Sequence, residues 1–325
     1  MALLLAADLG GTKSNLALFE DRAGGPAPRE EATLTSAEHA DACAVVQAFL
    51  AGTRVDAAVV AIAGPVLDGR AAPPNLPWVV ELAALRRALA TDRVDLINDL
   101  VATAYGIDGL APEYLAVLNE AAPGSGAIAV IAAGTGLGEA ALMNLEGRPV
   151  ALPSEGGHAD FGPGDDDQIA LLQNLARRYG HVSWERVVSG PGLTAIYEFL
   201  LETGRGSPNR DLAARMAAGD PSAEITRAAL AGSDATAGRA LDLFVHAYGA
   251  EAGNLALKFL ATGGVYLAGG IAPKIVERLR SGPFMTGFLA KGRHADLLRR
   301  IPVAVVLEPR TALWGAARRA ADLAR

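Results

Sequence analysis

Cysteine is almost absent from this chain: Cys43 is the single one in 325 residues. One thiol excludes an internal disulfide framework and a cysteine-based zinc cluster, and it suits a reducing cytoplasm. Aromatic residues make up only 5% of the chain, too few for the stacking platform that binds single-stranded nucleic acid. Positive charge is short as well. With 29 Lys and Arg against 36 Asp and Glu the net charge is −7, so no nucleic-acid partner is expected. No apolar run approaches the ~20 residues that span a bilayer, and no membrane partner is expected either. Met1–Ala7 is apolar but has no basic leader and meets Asp8 at once, which reads as a buried strand and not as a signal peptide. His39, His181, His246 and His294 are scattered without metal-ligand spacing. Walker A, Gly-x-Gly-x-x-Gly, Gly-x-Ser-x-Gly and His-Glu-x-x-His patterns are all missing.

The sequence does contain enough apolar residues, 51%, to bury a sizeable core. Two stretches repeat one design. Leu3–Asp8 is apolar, Gly10-Gly11-Thr12 breaks it, and Asn15–Phe19 resumes it; Ala127–Ala133, Gly134–Gly138 and Ala140–Leu145 do the same. Each reads as a β-hairpin with a glycine tip, so an internal duplication is expected, with a boundary near Gly109. Between and after them strands and helices alternate. Strands are expected at Asp56–Ala63, Val94–Ile97, Val265–Ala268 and Ile301–Leu307. Helices are expected from a Ser36 cap to Leu50, over Glu81–Leu89, Asp167–Tyr179, Leu193–Thr203, Ser222–Leu230 and Ala235–Leu260, and from a Thr311 cap to Leu323. The class is α/β, with sheets covered on both faces. Cys43 is expected on the buried stripe of its helix.

Chemistry is expected where glycine turns and polar residues follow strands. Successive amides in a glycine-rich turn make a nest for phosphate oxygens, and the Thr12 and Thr135 hydroxyls add donors. Either hairpin alone could be a plain tight turn; two copies, each with a threonine, favour phosphate. Asp8, at the end of a strand and beside the first nest, suits a Mg²⁺ ion held directly or through water, or else an Asx-turn. Asn98-Asp99 lies at the carboxyl end of a strand, where α/β proteins bind ligands, and equally where Asn and Asp cap helices. Glu155-Gly156-Gly157-His158 combines a carboxylate and an imidazole that can grip vicinal hydroxyls, or it is a polar surface turn. Glu185 reads as a surface charge beside Arg186.

Taken in order, Asp8-Leu9-Gly10-Gly11-Thr12, Ile97-Asn98-Asp99, Ala133–Gly138, Leu152–His158, Ser189–Leu193 and Leu267–Ile271 resemble the motifs of bacterial glucokinases, over nearly the whole chain. The resemblance implies two ribonuclease-H-like domains of the actin-like ATPase fold around a cleft, 1–109 with 300–325 and 110–299, and a C-terminal helix returning to the first domain. It implies transfer of the ATP γ-phosphoryl group to the 6-hydroxyl of glucose in the cytoplasm, often by a homodimer. On this resemblance Asp99 is the base. Asn98, Glu155, His158, Glu185 and Asn75 are sugar ligands. Asp8, Gly10, Gly11, Thr12, Gly134, Thr135, Gly136 and Gly138 serve the phosphates and Mg²⁺, and Gly269 and Gly270 border the nucleoside.

Two positions depart from the family pattern. Lys13-Ser14 replaces the usual Asn-Ala, and Glu139 replaces a small residue, where its charge is expected to weaken nucleotide binding by repulsion. A kinase for mannose or an N-acetyl amino sugar is the nearest rival. A sugar-sensing regulator on the same fold would carry a DNA-binding segment, for which a core strand opening at Leu3 leaves no room. The zinc-bearing repressor/kinase group is disfavoured by the single cysteine.

Overall fold

The apolar run at the N-terminus forms β1 (Leu3–Leu9), and the chain returns antiparallel as β2 (Lys13–Arg22) and β3 (Gly25–Thr35). The structure is a computed structural model and describes residues 1–73 and 76–325. β4 (Ala57–Ile62) is buried at every residue, as a central strand covered on both faces must be. Three two-residue strands follow, β5 (Val66–Leu67), β6 (Arg70–Ala71) and β7 (Val80–Glu81), and then β8 (Val94–Asn98). The main sheet has the order β3-β2-β1-β4-β8, with β1, β4 and β8 parallel.

A second sheet uses β9 (Leu115–Asn119), β10 (Ile128–Ala133), β11 (Leu137–Leu145), β12 (Arg148–Ser154), β13 (Gly264–Ala268) and β14 (Val303–Val306). Its order is β12-β11-β10-β13-β14-β9. Without the antiparallel edge strand β9, this is the order of the first sheet again: third, second, first, fourth, fifth. The duplication read from the two glycine hairpins therefore extends to whole sheets, and the fold is two ribonuclease-H-like α/β repeats. The chain forms two compact units, Met1–Pro112 with Ala140–Pro153 and Glu308–Arg325, and Glu113–Glu139 with Ser154–Leu307.

In the first unit the helix Thr311–Ala324 packs on β1, β4 and the helix Asp99–Ile107. Two glycines set that helix contact. A Cβ on Gly315 would lie 1.8 Å from the carbonyl oxygen of Ala102, and one on Gly106 would lie 2.1 Å from that of Thr311. Arg319 adds a hydrogen bond to Asp95 in β8, 3.0 Å.

Four local expectations are corrected. The first helix spans Ala42–Leu50 and is capped by Asp41, whose side chain accepts from the Ala44 N–H; Ser36 lies in a buried 3-10 turn instead. β3 was not expected, because Pro26, Pro28 and a run of exposed charges hide an edge strand. Thr311 does not cap: it is the first helical residue, and its hydroxyl donates to the Glu308 carbonyl at 2.7 Å. Cys43 is half-buried, since Ala42, Val45, Val46 and Leu50 fill the inner stripe. Burial still raises its thiol pKa, with the Asp41 charge adding to the shift. A bulky disulfide reagent is therefore expected to label the folded protein slowly near neutral pH. Labelling as fast as in the unfolded chain would refute this.

Candidate active site

The first glycine turn is braced from behind. The Gly10 N–H donates to the Lys13 carbonyl at 3.0 Å, and a Cβ on Gly10 would sit 2.8 Å from that oxygen. Ser36 clamps the turn twice: its N–H donates to the Thr12 carbonyl at 3.0 Å and its hydroxyl to the Gly10 carbonyl at 2.7 Å. A hydroxyl has one hydrogen, so in the 2.9 Å contact between Ser14 and Ser36 it is Ser14 that donates. Both serines are fully buried. The Ser14 departure is thus a structural brace. Ser36→Ala should cost ~1–3 kcal/mol in denaturant unfolding, because it leaves the buried Ser14 hydroxyl and the half-buried Gly10 carbonyl without their partner. An unchanged midpoint would contradict the brace.

Asp8 ends β1 opposite Asn15 of β2. Asn15 accepts the Thr33 hydroxyl at 2.9 Å, and its amide bonds Asp8. Burial raises the Asp8 pKa, and the Asn15 bond opposes the shift. Across the sheet, Leu9 pairs with Ile62 and Ile62 with Asn98. Asp8 and the Asn98-Asp99 pair therefore share the carboxyl edge of parallel strands, two strand spacings or ~10 Å apart. Asn98 is the helix cap: its Oδ1 accepts from the Leu100 N–H at 2.8 Å and the Val101 N–H at 3.3 Å, while its amide donates to the Gly64 carbonyl. Asp99 is the first helical residue, and its Oδ1 also accepts from the Leu100 N–H, at 2.9 Å. Asn75 lies outside the described residues.

In the second unit three glycines let separate segments meet. A Cβ on Gly136 would lie 2.6 Å from Glu185 Oε2, one on Gly157 2.1 Å from the Leu137 carbonyl, and one on Gly156 2.0 Å from Glu139 Oε2. Glu185 belongs to a 3-10 turn, Trp184–Arg186, and its Oε2 accepts from the Leu137 N–H at 3.0 Å. It is therefore tied to the second glycine turn and is not the helical surface charge its local sequence suggests. His158 lies between two carboxylates, with Nε2 3.9 Å from Glu155 and Nδ1 3.9 Å from Glu185. Three residues from two separate segments, Glu155 and His158 in one and Glu185 in the other, thus form one polar cluster beside Gly136.

The Gly134, Gly190 and Gly269 segments also converge. The Gly190 N–H donates to the Gly134 carbonyl at 2.8 Å, which brings the start of the helix Gly190–Glu202 to the turn. An amino-terminal helix end favours anions; sequence reading named its motif but gave it no role. Gly269 has φ of +80°, and a Cβ there would lie 2.5 Å from the Ala133 carbonyl, so only glycine fits. The Thr135 hydroxyl, Gly138 and Gly270 complete the two turns in sequence. Glu139, which follows the second turn, has its side chain buried at 1% exposure and directed into the unit.

The glucokinase family model matches residues 5–323. The curated glucokinase of a Synechocystis strain is 44% identical, over 96% of each chain, and that of a Caulobacter strain is 37% identical, over 98% of this chain and 94% of its own. The chain belongs to the glucokinase family. It is an ATP-dependent phosphotransferase of hexokinase type. A glucokinase from an Antarctic psychrotroph superposes with a TM-score of 0.87 at 28% identity, each chain covered to 99%. The glucokinase of Balamuthia mandrillaris, solved with glucose, shares the fold at a TM-score of 0.75 and 22% identity, over 98% of this chain and 93% of its own. Among the described residues no helix is long and apolar enough to cross a membrane.

Proposed function

We propose that the family reaction, transfer of the ATP γ-phosphoryl group to the 6-hydroxyl of glucose, runs here with Asp99 as general base. Glu155, His158 and Glu185 hold sugar hydroxyls, with Asn98 and Asn75 as further ligands. The observation that carries this reading is the cluster of His158 within 3.9 Å of both Glu155 and Glu185, fastened to the second glycine turn by the Leu137 N–H. Two acceptor carboxylates and an imidazole suit a polyol, and the tie to the glycine turn couples sugar position to phosphate position.

The phosphates are assigned to the Gly10–Thr12 and Gly134–Gly138 turns, and the nucleoside to Gly269-Gly270. Phosphoryl transfer asks mainly for positioning and charge stabilisation. Amide donors and the start of the Gly190–Glu202 helix supply these without reorganising. Asp99 takes the proton of the attacking hydroxyl as the bond to phosphorus forms. A Mg²⁺ ion fits at Asp8, whose carboxyl pKa is pushed up by burial and opposed only by the Asn15 bond, a shift that a bound cation would reverse. Bound with the nucleotide, the ion would neutralise phosphate charge. We place the reaction in the cytoplasm, in a homodimer, with no nucleic-acid or membrane partner; sedimentation of the purified chain tests the dimer.

Release of ADP from Mg-ATP against a panel of hexoses tests the substrate. Glucose should give the highest kcat/KM. A better value with mannose or an N-acetylated hexose would overturn the assignment.

A further inference from the structure

Glu139 sits at the inner side of the turn that presents Glu155 and His158. A Cβ on Gly156 would lie 2.0 Å from its Oε2, so the carboxyl packs directly on the glycine, and the Gly156 N–H donates to Ser154 Oγ at 3.0 Å. Neither Glu139 oxygen meets hydrogen-bond geometry with a partner among the described residues. The neighbours on the packing elements are identified. From the helix Ala235–Phe259 come Glu251, fully buried, and Lys258, which pairs with it at 2.9 Å; Asn254 donates to the other Glu251 oxygen at 2.8 Å. Lys291 faces Glu251 and Lys258 from beyond the helix Pro283–Leu289. From the turn itself, the Glu155 and His158 side chains are more than half exposed.

We propose that Glu139 is a positioning residue for sugar binding: its carboxyl, packed on Gly156, sets the place of the Glu155–His158 turn and thereby the affinity for glucose. The inference rests on the reading of Glu155 and His158 as sugar ligands. Charge bookkeeping assigns the working form. Lys258 and Asn254 already pair with the two Glu251 oxygens. A second buried carboxylate with no donor would cost too much to keep ionised, so Glu139 works protonated. Desolvation first, and the Glu251 charge and carboxyl next, push its pKa up to about 8 against the opposing Lys258 charge. As pH rises through that value a charge appears against the Gly156 backbone, and the turn must move or take in water.

The test is the pH profile of glucose KM from about pH 7 to about pH 9, the alkaline range that a pKa raised this far brings into reach. Wild type should show KM for glucose rising by about 10-fold at the alkaline end, as a single ionisation gives about one pH unit above its pKa when the charged form binds poorly, with KM for ATP nearly level. Glu139→Gln keeps the shape and cannot ionise; its glucose KM should match wild type at the acid end and stay level. Glu139→Ala should raise glucose KM at every pH, with thermal unfolding confirming a folded chain. A wild-type pH profile in Glu139→Gln overturns the proposal, and so does an unchanged glucose KM in a folded Glu139→Ala. The ligand reading is tested separately by His158→Ala and Glu155→Gln. If those leave glucose KM unchanged, that reading fails. The carboxyl C=O infrared band of Glu139, present at neutral pH and lost in Glu139→Gln, then still decides the protonation state; its absence from wild type overturns the working form.

Discussion

Asp99→Asn is expected to slow turnover by ~10²–10⁴ while leaving glucose affinity and melting temperature nearly unchanged, the range for loss of a positioned general base. From sequence alone, Asp99 could equally have been a helix cap. The structure separates the roles: Asn98 is the cap, accepting the Leu100 and Val101 N–H groups, and Asp99 is the next residue, inside the helix. Loss of charge in the first turn removes a favourable dipole interaction of only ~0.3–1 kcal/mol. The amide keeps the shape and can still hydrogen-bond a hydroxyl, but it cannot take a proton. The checks are kcat by coupled assay, glucose binding by tryptophan fluorescence, and thermal unfolding. Trp184, buried beside Glu185, is well placed to report binding. Near-normal kcat would remove Asp99 from the mechanism. A fall in melting temperature that tracks the loss of activity would make it a structural residue instead.

Gly315→Ala should be among the most damaging single-methyl changes in the chain. The added carbon would lie 1.8 Å from the Ala102 carbonyl and 2.5 Å from the Gly106 nitrogen. Both are backbone atoms, so no rotamer relieves the clash and the helices Asp99–Ile107 and Thr311–Ala324 must separate. Overpacking usually costs ~1–3 kcal/mol, and with no flexible partner the expected loss is ~3 kcal/mol or more. The displaced helix carries Asp99 at its first residue, so kcat should fall as well. Gly24→Ala is the control, since a Cβ there meets nothing within 4 Å; it should stay within ~0.5 kcal/mol of wild type. Equal unfolding midpoints for the two variants would show that the helix contact yields easily.

What sequence reading could reach follows from where the information sits. Strand runs such as Ala57–Ile62 and the glycine breaks after Asp8 and Ala133 are local signals, and they located both repeats. Asp99 and the Glu155–His158 turn stood out as candidates because they follow strand ends. β3 was missed because its surface position removes the apolar period that marks a strand. Ser36 looked like a cap, since a serine ahead of an apolar stretch gives that signal whether or not its hydroxyl turns inward to Gly10. Glu185 could not be placed from its neighbours, because its partner Leu137 is 48 residues away. The burial of Glu139 was hidden for a related reason. Strand alternation alone says that it points to one face, and only the packing shows that the face is the interior.

The discontinuous first unit has a consequence for biosynthesis. Its closing segment, Glu308–Arg325, leaves the ribosome only after Glu113–Leu307 has been made. At ~5–20 residues per second that is a wait of about 10–40 s. Throughout it the groove at Ala102 and Gly106 lacks the helix whose Leu313, Ala316, Ala317, Ala320 and Ala321 become buried on docking. All six strands of the second sheet have been made before then, whereas the half that carries Asp99 stays an open, apolar-faced intermediate. Chaperone demand during synthesis should therefore come mainly from the portion translated first.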